Sequence, residues 1–199
     1  MKPPAAVDGC PTRRTVLATV AVGVSGTVAG CLDDDRDGPE PIALTEGQAC
    51  DHCNMRIEMH PGPVGQAFYG ADTPASLSDD REDGVTWFCS SACTYRFVHE
   101  QAEQGYEPVV SYGTDYSDVE YELREESGTS VISAHREPDA FAALRALTFV
   151  VDSDIEGAMG GSLIGFSDPD DAASFAGEHG GELFEHDEVT REVVAALGM

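Results

Sequence analysis

Two cysteine pairs constrain this chain more than any other feature. Cys50 and Cys53 stand as Cys-x-x-Cys, Cys89 and Cys93 as Cys-x-x-x-Cys, and 35 residues lie between the pairs. Four thiols so spaced fit a tetrathiolate zinc site. Outside the cytoplasm an even set of four equally fits two disulfides. A soft ion such as Cu(I), content with sulfur and nitrogen donors, is the third reader. Spacing alone leaves all three open. The segment Cys50-Asp51-His52-Cys53-Asn54-Met55 adds an imidazole and a thioether to two thiols. A thioether needs no deprotonation and binds Cu(I) reversibly, so a mixed Cys/Met site suits capture followed by release. Met55 and Met59, four apart, fit a packed core equally well.

Whether the thiols meet an oxidising environment depends on the N-terminus. Thr12-Arg13-Arg14-Thr15-Val16-Leu17 is a twin-arginine pattern, and Val16 to Ala29 is an uncharged run of fourteen small and apolar residues. That is short of the roughly 20 needed to span a bilayer. Val28-Ala29-Gly30-Cys31 closes it as a lipobox would, with Cys31 the lipidated residue. Residues 1–30 are therefore expected to be an export signal. Residues 31–45, which combine acidic residues with Gly and Pro and show no hydrophobic period, should be an acidic flexible tether, and 46–199 the folded domain. The expected location is the extracellular face of the cell membrane, by a lipid anchor.

The chain's 37 acidic residues oppose 11 basic ones, a formal net charge of −26, and Lys2 is the single lysine. Loss of Lys2, Asp8, Arg13 and Arg14 with the leader leaves 36 acids and 8 bases, −28. No basic face for nucleic acid can be built from this. Carboxylates spread over the whole chain fit a halophilic surface, where concentrated salt screens their repulsion.

From Glu46 the hydrophobic pattern reads as two similar halves. Val64–Tyr69 and Val85–Cys89 are strand-like. Ser90 or Ser91 then caps a helix carrying Cys93, Phe97 and Val98 that stops at Gly105, and Pro108–Tyr112 is a further strand. In the second half Leu147–Val151 and Leu163–Phe166 read as strands. Asp168-Pro169 opens a helix that Gly180-Gly181 ends, Leu183-Phe184 closes the sheet, and His186–Leu197 is a final helix. The expected fold is α+β, two ββαβ modules packed as one domain.

Phe88-Cys89-Ser90-Ser91-Ala92-Cys93 through Phe97 resembles the second half of a TRASH-type metal-binding finger, its thiols at a helix N-terminus. A wider resemblance covers about residues 46–190. Cys50–Met55 followed by His60-Pro61-Gly62-Pro63-Val64-Gly65-Gln66 looks like the first signature of the NosL family, and Val150–Ile155 leading to Met159-Gly160-Gly161 and on to Phe166 looks like its second. Ala172–Ala176, Gly180-Gly181 and Phe184 continue the match, and the lipobox agrees. The resemblance implies a lipid-anchored Cu(I)-binding metallochaperone serving assembly of nitrous oxide reductase, with the reductase or its membrane assembly complex as partner.

Carried over residue by residue, Cys53, Met55 and Met159 are the leading ligand candidates, then Cys50, then His52 and His60. Cys89 and Cys93 depart from the family pattern. They leave open a second site, a zinc staple shared with Cys50 and Cys53, or a disulfide, so Zn(II) stands beside Cu(I) as an expected ion. The rival reading is a zinc-binding or disulfide-stapled extracellular interaction protein without copper transfer. An enzyme is not expected: the family is similar in fold to an organomercurial lyase, but no matching cysteine–acid signature, phosphate loop or Ser/His/Asp arrangement is present. Gly160-Gly161 and Gly180-Gly181 read as turns.

Overall fold

The computed structural model describes residues 38–77, 81–158 and 160–198. The leader, Cys31 and Met159 lie outside these described residues. The first module is β1 (Gly65–Phe68), β2 (Val85–Phe88), α1 (Ser91–Glu103) and β3 (Val110–Thr114). β1 lies in the middle, antiparallel to β2 through Gly65↔Phe88 and to β3 through Gly65↔Gly113. An insertion follows, with β4 (Leu123–Glu126), β5 (Thr129–Ile132) and β6 (Phe141–Ala143). The second module repeats the first: β7 (Thr148–Gly157), β8 (Gly160–Phe166), α2 (Pro169–His179) and β9 (Glu182–Glu185). Here β7 is central, antiparallel to β8 and β9. The two ββαβ modules expected from the hydrophobic pattern are thus present with matching strand orders.

The insertion extends both sheets. β6 joins β3 to complete the order β2-β1-β3-β6, while β5 runs parallel to β7 and carries β4 on its outer side. These strands carry little sequence signal. β4 reads Leu-Arg-Glu-Glu, three of its four residues exposed, and is a strand because Ser127 and Gly128, at φ 56° and 92°, form a two-residue hairpin turn to β5.

α1 joins the halves because it is apolar on two faces. Cys93 and Phe97 pack into a first core with Ile57, Val64, Phe68, Phe88 and Tyr112. Ala92 and Tyr95 enter a second core with Leu147, Phe149, Leu163 and Val194, where Tyr95 meets Phe149 edge-on at 5.6 Å. α2 covers the opposite face of the second sheet through Ala172 and Phe175, which meet Val150, Ile164 and Phe166. Consecutive Phe149-Val150-Val151 therefore bury alternate side chains on both faces, which is why that run has no polar alternation.

The helix starts follow their caps. Ser90 Oγ accepts from Cys93 N–H, Asp168 from Asp170 N–H ahead of Pro169, and Gly180 and Gly181 end α2 at positive φ. The last helix is shorter than the expected His186–Leu197. A 3-10 turn over His186–Glu188 precedes α3 (Arg191–Ala196), because Val189 leaves helical geometry and Thr190 recaps the chain by accepting from Val193 N–H. Part of the expected tether is fold as well: Ile42 hydrogen-bonds through both N–H and C=O to the buried amide of Gln66, Tyr112 OH donates to Pro39 O, and Leu44 is in the first core. Among the described residues no helix is long and apolar enough to cross a membrane.

Candidate metal centre

The first cysteine pair sits in a knuckle closed by its own backbone. Ala49 and Arg56 pair as an isolated antiparallel bridge, Cys50 N–H donates to Met55 O at 2.8 Å, and Asn54 N–H donates to Cys50 O at 2.8 Å. The reversal passes through Asn54 at φ 63°, a left-handed conformation that asparagine tolerates better than most side chains. The second pair sits at a strand-to-helix corner. Cys89 follows β2 directly, Ser90 is the cap, and Cys93 is the third residue of α1, at the positive end of the helix dipole.

Knuckle and corner meet. The four sulfurs all lie within 4.8 Å of one another, with Cys53 to Cys89 at 3.5 Å and Cys89 to Cys93 at 3.8 Å. A tetrahedral ion with metal–sulfur bonds of about 2.3 Å requires sulfurs about 3.8 Å apart, so the box has the size a metal needs. The thiols are free, at separations well beyond the roughly 2.05 Å of a disulfide. Cys50, Cys89 and Cys93 are 2%, 0% and 0% exposed, and Cys53 alone is half-buried.

Such a box cannot hold four negative charges without a cation. Hydrogen bonding by the Cys89 and Cys93 thiols, against the opposing effect of burial, holds Cys50 far below the ordinary thiol range. The same contact with Cys50 raises Cys93 to about 12 and pushes Cys89 higher still, burial adding to both. An entering soft cation therefore displaces protons from the later thiols as it binds.

Asp51, absent from the residues singled out in the sequence, locks the knuckle in place. Its N–H donates to Trp87 O at 2.9 Å, and its carboxylate accepts from Trp87 N–H at 2.7 Å and from Arg81 at 2.7 and 3.2 Å. The Arg81 guanidinium also lies 3.7 Å over the Trp87 ring and donates to Val85 O. Burial raises the Asp51 carboxyl above its usual range, and the bonds from Trp87 and Arg81 act against that rise. An acid inside Cys-x-x-Cys was the available signal.

The other expected ligands divide. His52 stays outside the sulfur group, its Nδ1 3.6 Å from Glu100 Oε2. His60 also lies outside it and ends the 3-10 turn Ile57–Met59. Met55 is half-buried on the knuckle, whereas Met59 is 70% exposed and is not a core residue. Beside position 159, Ala158 packs against the core cluster that contains the cysteines, so the hairpin joining β7 to β8 reaches the first module.

The comparisons with known proteins agree with this architecture. A family profile described as NosL matches residues 41–194. The chain is 29% identical over 181 residues to the copper-binding lipoprotein NosL of Stutzerimonas stutzeri, covering 90% of this chain and 81% of that one. The crystal structure of the copper chaperone NosL from Shewanella denitrificans superposes with a TM-score of 0.58 at 25% identity, over 78% of this chain and 99% of that one. These relatives are named for binding and chaperoning copper and not for catalysis. With the profile spanning both ββαβ modules and the thiol box between knuckle and corner, the chain belongs to the NosL family.

Proposed function

We propose that this protein is a membrane-anchored Cu(I) chaperone on the extracellular face, carrying copper for the assembly of nitrous oxide reductase. The observation that carries the reading is the convergence of four thiols from two distant segments into one ion-sized box. Thiolates select soft ions. Cys53 is the thiol at which a partner's ligand can begin exchange, since the other three are enclosed in the core. Met55 and Met159 are the thioethers proposed to complete the path, and the copper is cargo that enters and leaves without change of valence. Lipid attachment at Cys31 would hold the chain at the membrane surface, where the reductase or its assembly complex collects the ion. A single acyl chain anchors only marginally, so a second contact is expected.

A second reading is favoured by the closed geometry: four thiols within 4.8 Å of one another, three of them enclosed in the core, also suit a structural Zn(II). Native mass spectrometry of the reduced domain with limiting Cu(I) and Zn(II) separates the two. Retention of one Cu(I) per chain against Zn(II) supports the chaperone; zinc retained and copper excluded refutes it. For the anchor, Cys31→Ala should move the protein from the membrane to the soluble fraction, and an unchanged fractionation removes the lipid claim.

A further inference from the structure

Among the described residues β2 is the outer strand of its sheet, and one side of its backbone has no strand partner there. Asp51 occupies that side at Trp87, the residue two before Cys89. Its backbone N–H and its carboxylate take the Trp87 C=O and N–H as a neighbouring strand would. The same carboxylate receives the two-pronged Arg81, and the side chains of Asp51 and Arg81 are only 12% and 18% exposed. Arg81 in turn is fixed by Val85 O and by stacking on Trp87. One residue, placed between the two cysteines of the knuckle, thus sets the knuckle's register on the strand that delivers Cys89.

We propose that Asp51 is the positioning residue of the thiol centre, docking Cys50 and Cys53 against Cys89 and Cys93 through the Trp87 backbone and Arg81. The proposal deepens the chaperone reading and rests on it only for the identity of the ion. The chemistry requires a carboxylate: its two oxygens accept both Arg81 prongs and the Trp87 N–H together, whereas an amide turns one donor toward Arg81 and loses a bond. A lysine at 81 would keep the charge but neither the fork nor the stack.

The experiment uses the full chain with Asp51→Ala, Asp51→Asn and Arg81→Lys, and two readouts that need no copper. In the metal-free protein, alkylation by iodoacetamide followed by mass spectrometry should mark Cys53 first in the parent. In Asp51→Ala, Cys50 should become reactive, its labelling rate rising at least tenfold toward that of Cys53. With Co(II) as the probe, the parent should give the absorption of a tetrahedral four-thiolate ion, and Asp51→Ala the weaker sulfur-to-metal band of a two- or three-thiolate one. Asp51→Asn, which keeps the Trp87 bond, should lie between, as should Arg81→Lys, and both serve if the alanine variant fails to fold. Unchanged Cys50 labelling together with an unchanged Co(II) spectrum in folded variants overturns the proposal, even if their melting temperature falls. A parent that binds four-coordinate Co(II) but no Cu(I) would sink the chaperone reading and leave the positioning role standing.

Discussion

Gly65→Ala tests whether the seat of α1 on β1 sets the corner that carries Cys93. A Cβ on Gly65 would lie 2.4 Å from Thr94 Oγ1 and 2.9 Å from Tyr112 O. Restoring ordinary contact with the hydroxyl demands a shift of about 1 Å. Thr94 cannot yield freely, because it is fully buried and its hydroxyl donates to Ser90 O at 3.1 Å, within the turn that caps the helix. The Tyr112 oxygen is backbone of a paired strand. Overpacking of this kind costs about 1–3 kcal/mol, and losing the Thr94 bond about 1 kcal/mol more. A total near 3 kcal/mol corresponds to a fall of roughly 6–12 °C in melting temperature for a domain of this size. Thermal unfolding of the metal-free protein by circular dichroism measures it. Adding Thr94→Ala removes the closest clash, so the double variant should be more stable than the two separate losses predict, by about 1 kcal/mol or more. A loss below about 0.5 kcal/mol in Gly65→Ala, or strict additivity with Thr94→Ala, would refute the claim that this contact holds the helix.

Three further outcomes are expected. Met159→Leu should remove one sulfur neighbour from the X-ray absorption shell of the Cu(I)-loaded protein while leaving the fold intact, as a volume-conserving change; an unchanged shell excludes Met159 from the site. Burial lowers the pKa of His186, which shares a 2.8 Å hydrogen bond with Tyr95 OH, and also lowers that of His99. Because the unfolded chain then takes up protons first, the stability is present above the ordinary value of 6.5 and is lost as pH falls through it. Melting temperature should therefore drop between pH 7.5 and 5.5, and His186→Gln should flatten that slope. Finally, with a formal net charge of −26, the unfolding midpoint should rise as KCl is raised from dilute to molar; a midpoint independent of salt contradicts the screening argument.

The two ββαβ modules are legible in the hydrophobic pattern, because their strands are short apolar runs and their helices begin at side-chain caps, and both are local effects. Ser90, Asp168 and Pro169 act on their own helix turns, and Gly180 and Gly181 at positive φ end one, so their consequences are legible residue by residue. β4 and β6 were illegible for the opposite reason: exposed Arg124-Glu125-Glu126 and the short Phe141–Ala143 are strands only because a partner supplies their hydrogen bonds. The cysteine spacing left a metal centre and two disulfides equally open. Sequence distance cannot say whether two pairs 35 residues apart meet, and the family resemblance, not the spacing, placed Met55 and Met159 ahead of Cys89 and Cys93. Only tertiary packing brings all four thiols into one box, since the Asp51 bonds to the Trp87 backbone set the knuckle beside the corner that follows β2. It also decided the role of Asp51, whose neighbours in sequence are cysteine and histidine but whose partners, Arg81 and Trp87, stand 30 and 36 residues away.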